Sequence, residues 1–192
     1  MTNKNQSNVP ISLSIKWGII IAIINILLYT TLNKFLMNSE NMTLYYVAIG
    51  STFVLNIVLL SFLARQQRSA LGGFISFKQC FRTLFIAILI ICVTSFLYQQ
   101  IYLKFIDPSF LDRMKEATLA FTEKIGAGQE QLDDVADKMD KQIAESNSVS
   151  RQLLSVVWAV VFYSIIGFVI SAIVRKNKPL FIEEENNQQF QH

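Results

Sequence analysis

Hydrophobic positions in this chain gather into four long runs, Trp17 to Leu36, Leu44 to Ala64, Thr83 to Leu103 and Leu153 to Val174. The last three contain no Asp, Glu, Lys, Arg or His, and the first carries only Lys34 near its end. Each has about the 20 residues that a helix rising 1.5 Å per residue needs to cross roughly 30 Å of hydrocarbon. Helices buried in a soluble bundle would show a polar stripe with a 3.6-residue period, whereas these runs are apolar around most of their circumference. The pattern predicts an all-α membrane protein with four transmembrane helices.

A different pattern fills the segment between the third and fourth runs. Asp107-Pro108 reads as a helix start, because proline lacks the N–H that a first helical position leaves unused and the aspartate can accept orphan backbone donors. Phe110, Met114, Ala117, Phe121 and Ile125 then recur at steps of four, three, four and four, an apolar stripe on one helix face. Gly126-Ala127-Gly128 breaks that helix, and a second stripe follows at Leu132, Val135, Met139 and Ile143, ending at Ser146-Asn147-Ser148. The prediction is an external amphipathic helical hairpin over 107–147. Its stripes can cover the protein's own bundle or bind a protein or lipid partner, and Phe110, Met114, Phe121, Leu132, Val135 and Met139 are the candidate contacts.

Composition agrees with a membrane location: of 192 residues 52% are hydrophobic and 16% charged, with mean hydropathy +0.39. The net charge of +3 matters through its placement. Lys4 and Lys16 precede the first run, Arg65, Arg68, Lys78 and Arg82 lie between the second and third, and Arg175, Lys176 and Lys178 follow the fourth. Between the first two runs Lys34 stands against Glu40, and residues 104–151 hold seven Lys or Arg against ten Asp or Glu. The positive-inside rule then places both termini and the 65–82 connection in the cytoplasm and the hairpin outside. This reading divides the chain into a cytoplasmic tail (1–16), a four-helix domain (17–176) and a cytoplasmic polar tail (177–192). The first run exceeds a signal-peptide core and lacks a small-residue cleavage site, so it is expected to be retained. A basic balance that sorts by topology gives no support to nucleic-acid binding.

Several features bear on chemistry. Asn25, Asn56, Thr94, Ser95 and Gln99 are polar groups within spans, where they should point inward as packing contacts or line a path for a solute or ion. Ser155, Ala159, Tyr163, Gly167 and Ser171 form a mostly small-residue seam suited to close helix contact. Cys80 and Cys92, twelve residues apart on one helix, are about 18 Å apart along its axis and cannot form a disulfide. The only histidine is His192, HExxH and CxxC patterns are missing, and Asp133, Asp134, Asp137 and Asp140 lack calcium-loop spacing. No catalytic residue, cofactor or metal is expected, and the reading is of a protein that is not an enzyme.

The stretch Leu71 to Phe81, LGGFISFKQCF, offers paired glycines, a serine, a lysine and a cysteine. It lacks the GxxxxGK[ST] order of a phosphate loop. Ser76 and Gln79 instead spell a capping box that starts the third helix. Lys78 and Arg82 can snorkel to lipid headgroups, with Phe74, Phe77 and Phe81 at the interface.

The run ISFKQCFRTLFIAILI at Ile75 to Ile90, with YQQIYLKFIDPSFLDRMKE at Tyr98 to Glu116 and the turn EKIGAGQEQLDD, resembles domain-of-unknown-function family 4199 from about Lys16 to Lys176. That resemblance implies a small four-span Bacteroidota membrane protein with a helical insertion before the last span, in the inner membrane, and no known catalytic residues. Two functions follow as expectations: a non-enzymatic bundle whose hairpin binds a protein or lipid partner, or an oligomeric solute or ion conduit.

Overall fold

A computed structural model describes residues 11–37, 41–146 and 148–177. The expected tail residues Lys4, Lys178 and His192, and also Glu40 and Asn147, lie outside the described residues. Among the described residues six α-helices follow in order: α1 Ile11–Phe35, α2 Met42–Ala70, α3 Phe77–Ile101, α4 Phe110–Lys124, α5 Gln129–Ser146 and α6 Val149–Val174. A π-helical turn, Tyr102–Ile106, continues α3. Four helices (α1, α2, α3 with its π turn, and α6) are long and apolar enough to cross a membrane, while α4 and α5 form a hairpin between the third and fourth. Each span reaches beyond the apolar run that marks it, because a helix continues until a stop signal rather than until the hydrocarbon ends. Thus α1 starts at Ile11, so part of the expected 1–16 tail is helical, and α2 passes Arg65 and Arg68 before ending at Ala70.

The four spans run alternately up and down, which gathers the start of α1, the α2–α3 connection and the end of α6 at one end, here the tail side. The α4–α5 hairpin lies at the other, the hairpin side. α3 occupies the centre, packing against α1, α2 and α6, and buries Cys80, Thr83, Leu84, Ala87, Ile88, Ile91 and Cys92. The small-residue seam of α6 explains the close approach on one flank: a Cβ at Gly167 would meet Ile88 Cδ1 at 3.1 Å. On the other flank a Cβ at Gly18 would meet Ile90 Cβ at the same distance. Ile21, Leu60, Leu63, Leu84, Ile88, Ile170 and Val174 complete an apolar core in the tail-side half. Val157, Trp158, Val161, Phe162, Ile165 and Val169 of α6 stay exposed, as expected of side chains that face lipid, which is as apolar as they are.

Local devices set the helix ends. The capping box at α3 is formed as expected: Gln79 N donates to Ser76 Oγ at 3.3 Å and Ser76 N donates to Gln79 Oε1 at 3.1 Å. Beyond this start, Ile75 and Lys176 exchange backbone hydrogen bonds of 2.9 Å as an antiparallel bridge, tying the α2–α3 connection to the end of α6. Lys78 and Arg82 are exposed, while Phe77 lies edge-on to Phe168 at 4.9 Å and stacks on Phe81 at 6.1 Å. Gly126 takes φ +88, and Ala127 N donates to Thr122 O at 3.2 Å, a left-handed C-cap that ends α4.

One expectation needs correction. Asp107-Pro108 does not open α4: the helix begins at Phe110 with Ser109 as its N-cap, and no side-chain cap bond is made. The π turn, closed by Asp107 N donating to Tyr102 O at 2.8 Å, swings the aspartate away from the α4 amides. Its carboxylate instead pairs with Arg113 and accepts from Tyr102 Oη at 3.4 Å and Ser109 Oγ at 3.1 Å.

Candidate functional site

The hairpin-side half of the bundle encloses a cavity of about 530 Å³, within the range of small-molecule sites. All four spans contribute, and periodicity explains how. Asn25, Tyr29 and Asn33 recur at steps of four on α1, and Tyr45, Ile49, Thr52 and Asn56 at steps of four, three and four on α2. Cys92, Ser95, Phe96 and Gln99 come from α3, and Ser155, Ala159 and Tyr163 from α6. Among the described residues, no lining side chain is Asp, Glu, Lys, Arg or His. The wall is therefore mostly apolar and aromatic, with a few hydrogen-bonding groups and no charge.

The floor is a reciprocal amide pair. Asn25 Nδ2 donates to Asn56 Oδ1 and Asn56 Nδ2 to Asn25 Oδ1, each at 3.0 Å, and Asn56 Nδ2 also reaches Thr52 O at 2.9 Å. One turn further toward the tail side, Ile21 and Leu60 are almost fully buried, so the polar wall stops at a packed apolar layer. The sequence placed both asparagines inside the bundle, and the structure joins them to each other.

The upper wall is a layer of tyrosines. Tyr45 Oη donates to Asn33 Oδ1 at 2.9 Å. Thr30 Oγ1 donates to Ile26 O at 2.8 Å, so Tyr98 is the donor in its 2.5 Å contact with Thr30 Oγ1. Tyr29 packs edge-on against Tyr98 and Tyr102. The Asn33 side chain is buried, and its Nδ2 lies beside the Tyr29 hydroxyl, with no hydrogen bond of ordinary geometry among the described residues.

Helix α4 sits on this layer. Phe110 and Ala117 are buried, with Leu111, Met114 and Phe121 packed alongside, in one cluster with Met37, Met42, Tyr45, Tyr102, Tyr29, Leu32 and Tyr98. Phe110 meets Tyr102 edge-on at 5.6 Å and Phe121 meets Tyr46 at 6.4 Å. Of the residues expected to meet a partner, Phe110, Met114 and Phe121 therefore cover the protein's own bundle, since an apolar stripe next to an apolar mouth is buried there first. Ile125, at the end of the same stripe, is 66% exposed. On α5 no residue is buried, and Leu132, Val135 and Met139 are half-buried. The hairpin is held by Lys115 Nζ to Asp140 Oδ1 at 2.5 Å. Asp134 pairs with Lys138, and Asp133 accepts from Gln129 Nε2.

Of the expected intramembrane polar residues, Asn25, Asn56, Ser95 and Gln99 line the cavity and Thr94 does not. Thr94 precedes Ser95 by one residue, a rotation of about 100° on a helix, which carries it off the cavity face. Tyr29, Asn33, Tyr45 and Thr52 escaped the sequence reading, although the four-residue spacing of Asn25, Tyr29 and Asn33 was the signal for them.

The family model described as protein of unknown function (DUF4199) matches residues 16–176. The chain belongs to the DUF4199 family. That match spans every helix of this DUF4199 fold from within α1 to the bridge at Lys176, so cavity, floor and hairpin all lie inside the family domain. Comparison with curated proteins gave no match, and comparison with solved structures gave none.

Proposed function

We propose that this protein is a non-enzymatic membrane receptor for a small uncharged amphipathic molecule, held in the cavity beneath the hairpin. The observation that carries the reading is the chemistry of the wall: about 530 Å³ lined from all four spans, floored by an amide pair, with no charged side chain among the described residues. An ionic ligand would be desolvated there with no counter-charge, whereas hydroxyl, carbonyl or amide groups on an apolar body match the tyrosines and asparagines. The α4 helix serves as the cover. Orientation follows the charges: Lys16, Arg65, Arg68, Lys78, Arg82, Arg175 and Lys176 all belong to the tail side, which we assign to the cytoplasm of a bacterial inner membrane. Lys78 and Arg82 contact its headgroups.

Mass spectrometry of molecules that co-purify from native membranes tests this. Wild-type protein should carry a neutral species that Ser95→Phe, which fills the cavity, loses. Identical extracts from the two proteins, or enrichment of charged molecules alone, would overturn the proposal. A second reading, docking of a protein or another copy of this chain on α5, rests on the half-exposed Leu132, Val135 and Met139. A photo-crosslinker at Met139 should then capture another chain, and capture within the same chain only would dismiss it.

A further inference from the structure

The α1–α2 seam carries a second polar level. Ser14 lies eleven residues before Asn25, and Gln67 eleven residues after Asn56. Eleven residues are about three helical turns, so the antiparallel register that joins the asparagines brings Ser14 and Gln67 to a common level, about 16 Å nearer the tail side. Ile21 and Leu60 fall between the two levels on the same seam. Gln67 is 0% and Ser14 1% exposed, and among the described residues neither the Gln67 Nε2 and Oε1 atoms nor Ser14 Oγ find a hydrogen-bond partner. The other spans place polar groups at this level too. Thr83 and Cys80 of α3 and Ser171 of α6 are each fully buried, and Arg68 Nη1 reaches Val174 O at 3.4 Å.

A fully buried amide with both ends unanswered is costly in a membrane protein, where an apolar side chain of the same size would pack at no such cost. Thr83 Oγ1 and Ser171 Oγ satisfy themselves on the carbonyls of Gln79 and Gly167, which leaves Gln67 and Ser14 as the groups at this level without a partner among the described residues. We infer that the tail-side ends of the four spans form a second seat, centred on Gln67 and Ser14, for water or another small neutral hydrogen-bonding solute. It fills by local opening toward the tail side and is sealed from the hairpin-side cavity by Ile21 and Leu60. The strap between Ile75 and Lys176, with the Arg68 contact, closes over it. This inference goes beyond the receptor reading and does not depend on it, because it concerns the opposite end of the bundle.

The test uses the full chain in proteoliposomes, with Cys80 and Cys92 replaced by alanine and a membrane-impermeant thiol reagent applied from each side. Gln67→Cys and Ser14→Cys should react from the tail side about tenfold faster than Leu63→Cys, which is equally buried but apolar in its surroundings, because local openings set such rates. Reaction no faster than Leu63→Cys, or reaction only from the hairpin side, would overturn the inference. Thermal unfolding of Gln67→Leu gives a second reading independent of cysteine chemistry. An amide answered by a bound solute gives no gain in melting temperature when removed. A rise in melting temperature would mean that the amide is dry and unsatisfied, and would overturn the inference as well.

Discussion

Asn25 and Asn56 exchange two amide hydrogen bonds of 3.0 Å across the α1–α2 seam, and one turn beyond them Ile21 and Leu60 close the core. The pair is the boundary between the polar cavity and the apolar layer beneath it, and its two members are not equivalent. Asn56 Nδ2 keeps the Thr52 carbonyl as a partner when Asn25 is removed, whereas removal of Asn56 leaves both ends of the Asn25 amide without this contact. Asn56→Ala should therefore destabilise more than Asn25→Ala, by an amount within the roughly 1–3 kcal/mol of an unanswered buried polar group. A double-mutant cycle by reversible unfolding in bilayers should return a coupling of about 0.6 to 1.7 kcal/mol. Equal single-mutant costs with no coupling would refute the floor as described.

Glycines on the spans divide by what surrounds them. A Cβ at Gly167 meets Ile88 Cδ1 at 3.1 Å, while one at Gly50 meets nothing within 4 Å. Gly167→Leu should push α6 from α3 and cost about 1–3 kcal/mol. Gly50→Ala should stabilise, by up to about 1 kcal/mol from helix propensity. Thermal unfolding of the two variants side by side checks the contrast.

The start of α3 depends on the reciprocal contacts of Ser76 and Gln79. Ser76→Ala with Gln79→Ala should lose about 0.5–2 kcal/mol of local stability, and Ser76→Asp should restore part of it. Amide exchange over residues 77–80 reports the change. Unaltered protection there would show that membrane burial alone holds the helix start.

Phe110 anchors the hairpin to the tyrosine layer, whereas Ile125 on the same stripe stands 66% exposed. Phe110→Ala should release α4 and speed proteolysis in the 125–128 turn, and Ile125→Ala should leave the rate unchanged. Equal rates in both variants would mean that α4 is held elsewhere.

Much of this fold is legible in the sequence for a simple physical reason: hydrocarbon tolerates few charges, so runs without Asp, Glu, Lys or Arg announce spans. Ser76 and Gln79, and the glycines around Ala127, announce helix ends through local chemistry alone. The site was less legible. Asn25 and Asn56 stood out as amides among aliphatic neighbours, but Asn33 beside Lys34 and Tyr45 near the start of α2 drew no reading, and their meeting depends on α1–α2 register. Thr94 was grouped with Ser95 by proximity in the chain, whereas facing is set by rotation around the helix. The direction of the α4 stripe was open for the same reason. Phe110, Met114 and Phe121 have the same pattern whether the apolar surface they meet belongs to another protein or to Tyr29, Tyr45 and Tyr102.

The central claim is a chamber covered by α4, reached from the hairpin side and closed at the asparagine floor. Single cysteines in proteoliposomes, exposed from the hairpin side to a small impermeant thiol reagent, test it most directly. The native Cys92 and a Ser95→Cys variant should react, and Ile21→Cys and Leu60→Cys should stay silent. Reaction at Ile21→Cys and Leu60→Cys would make the bundle a conduit, and silence at Cys92 and Ser95→Cys would remove the chamber.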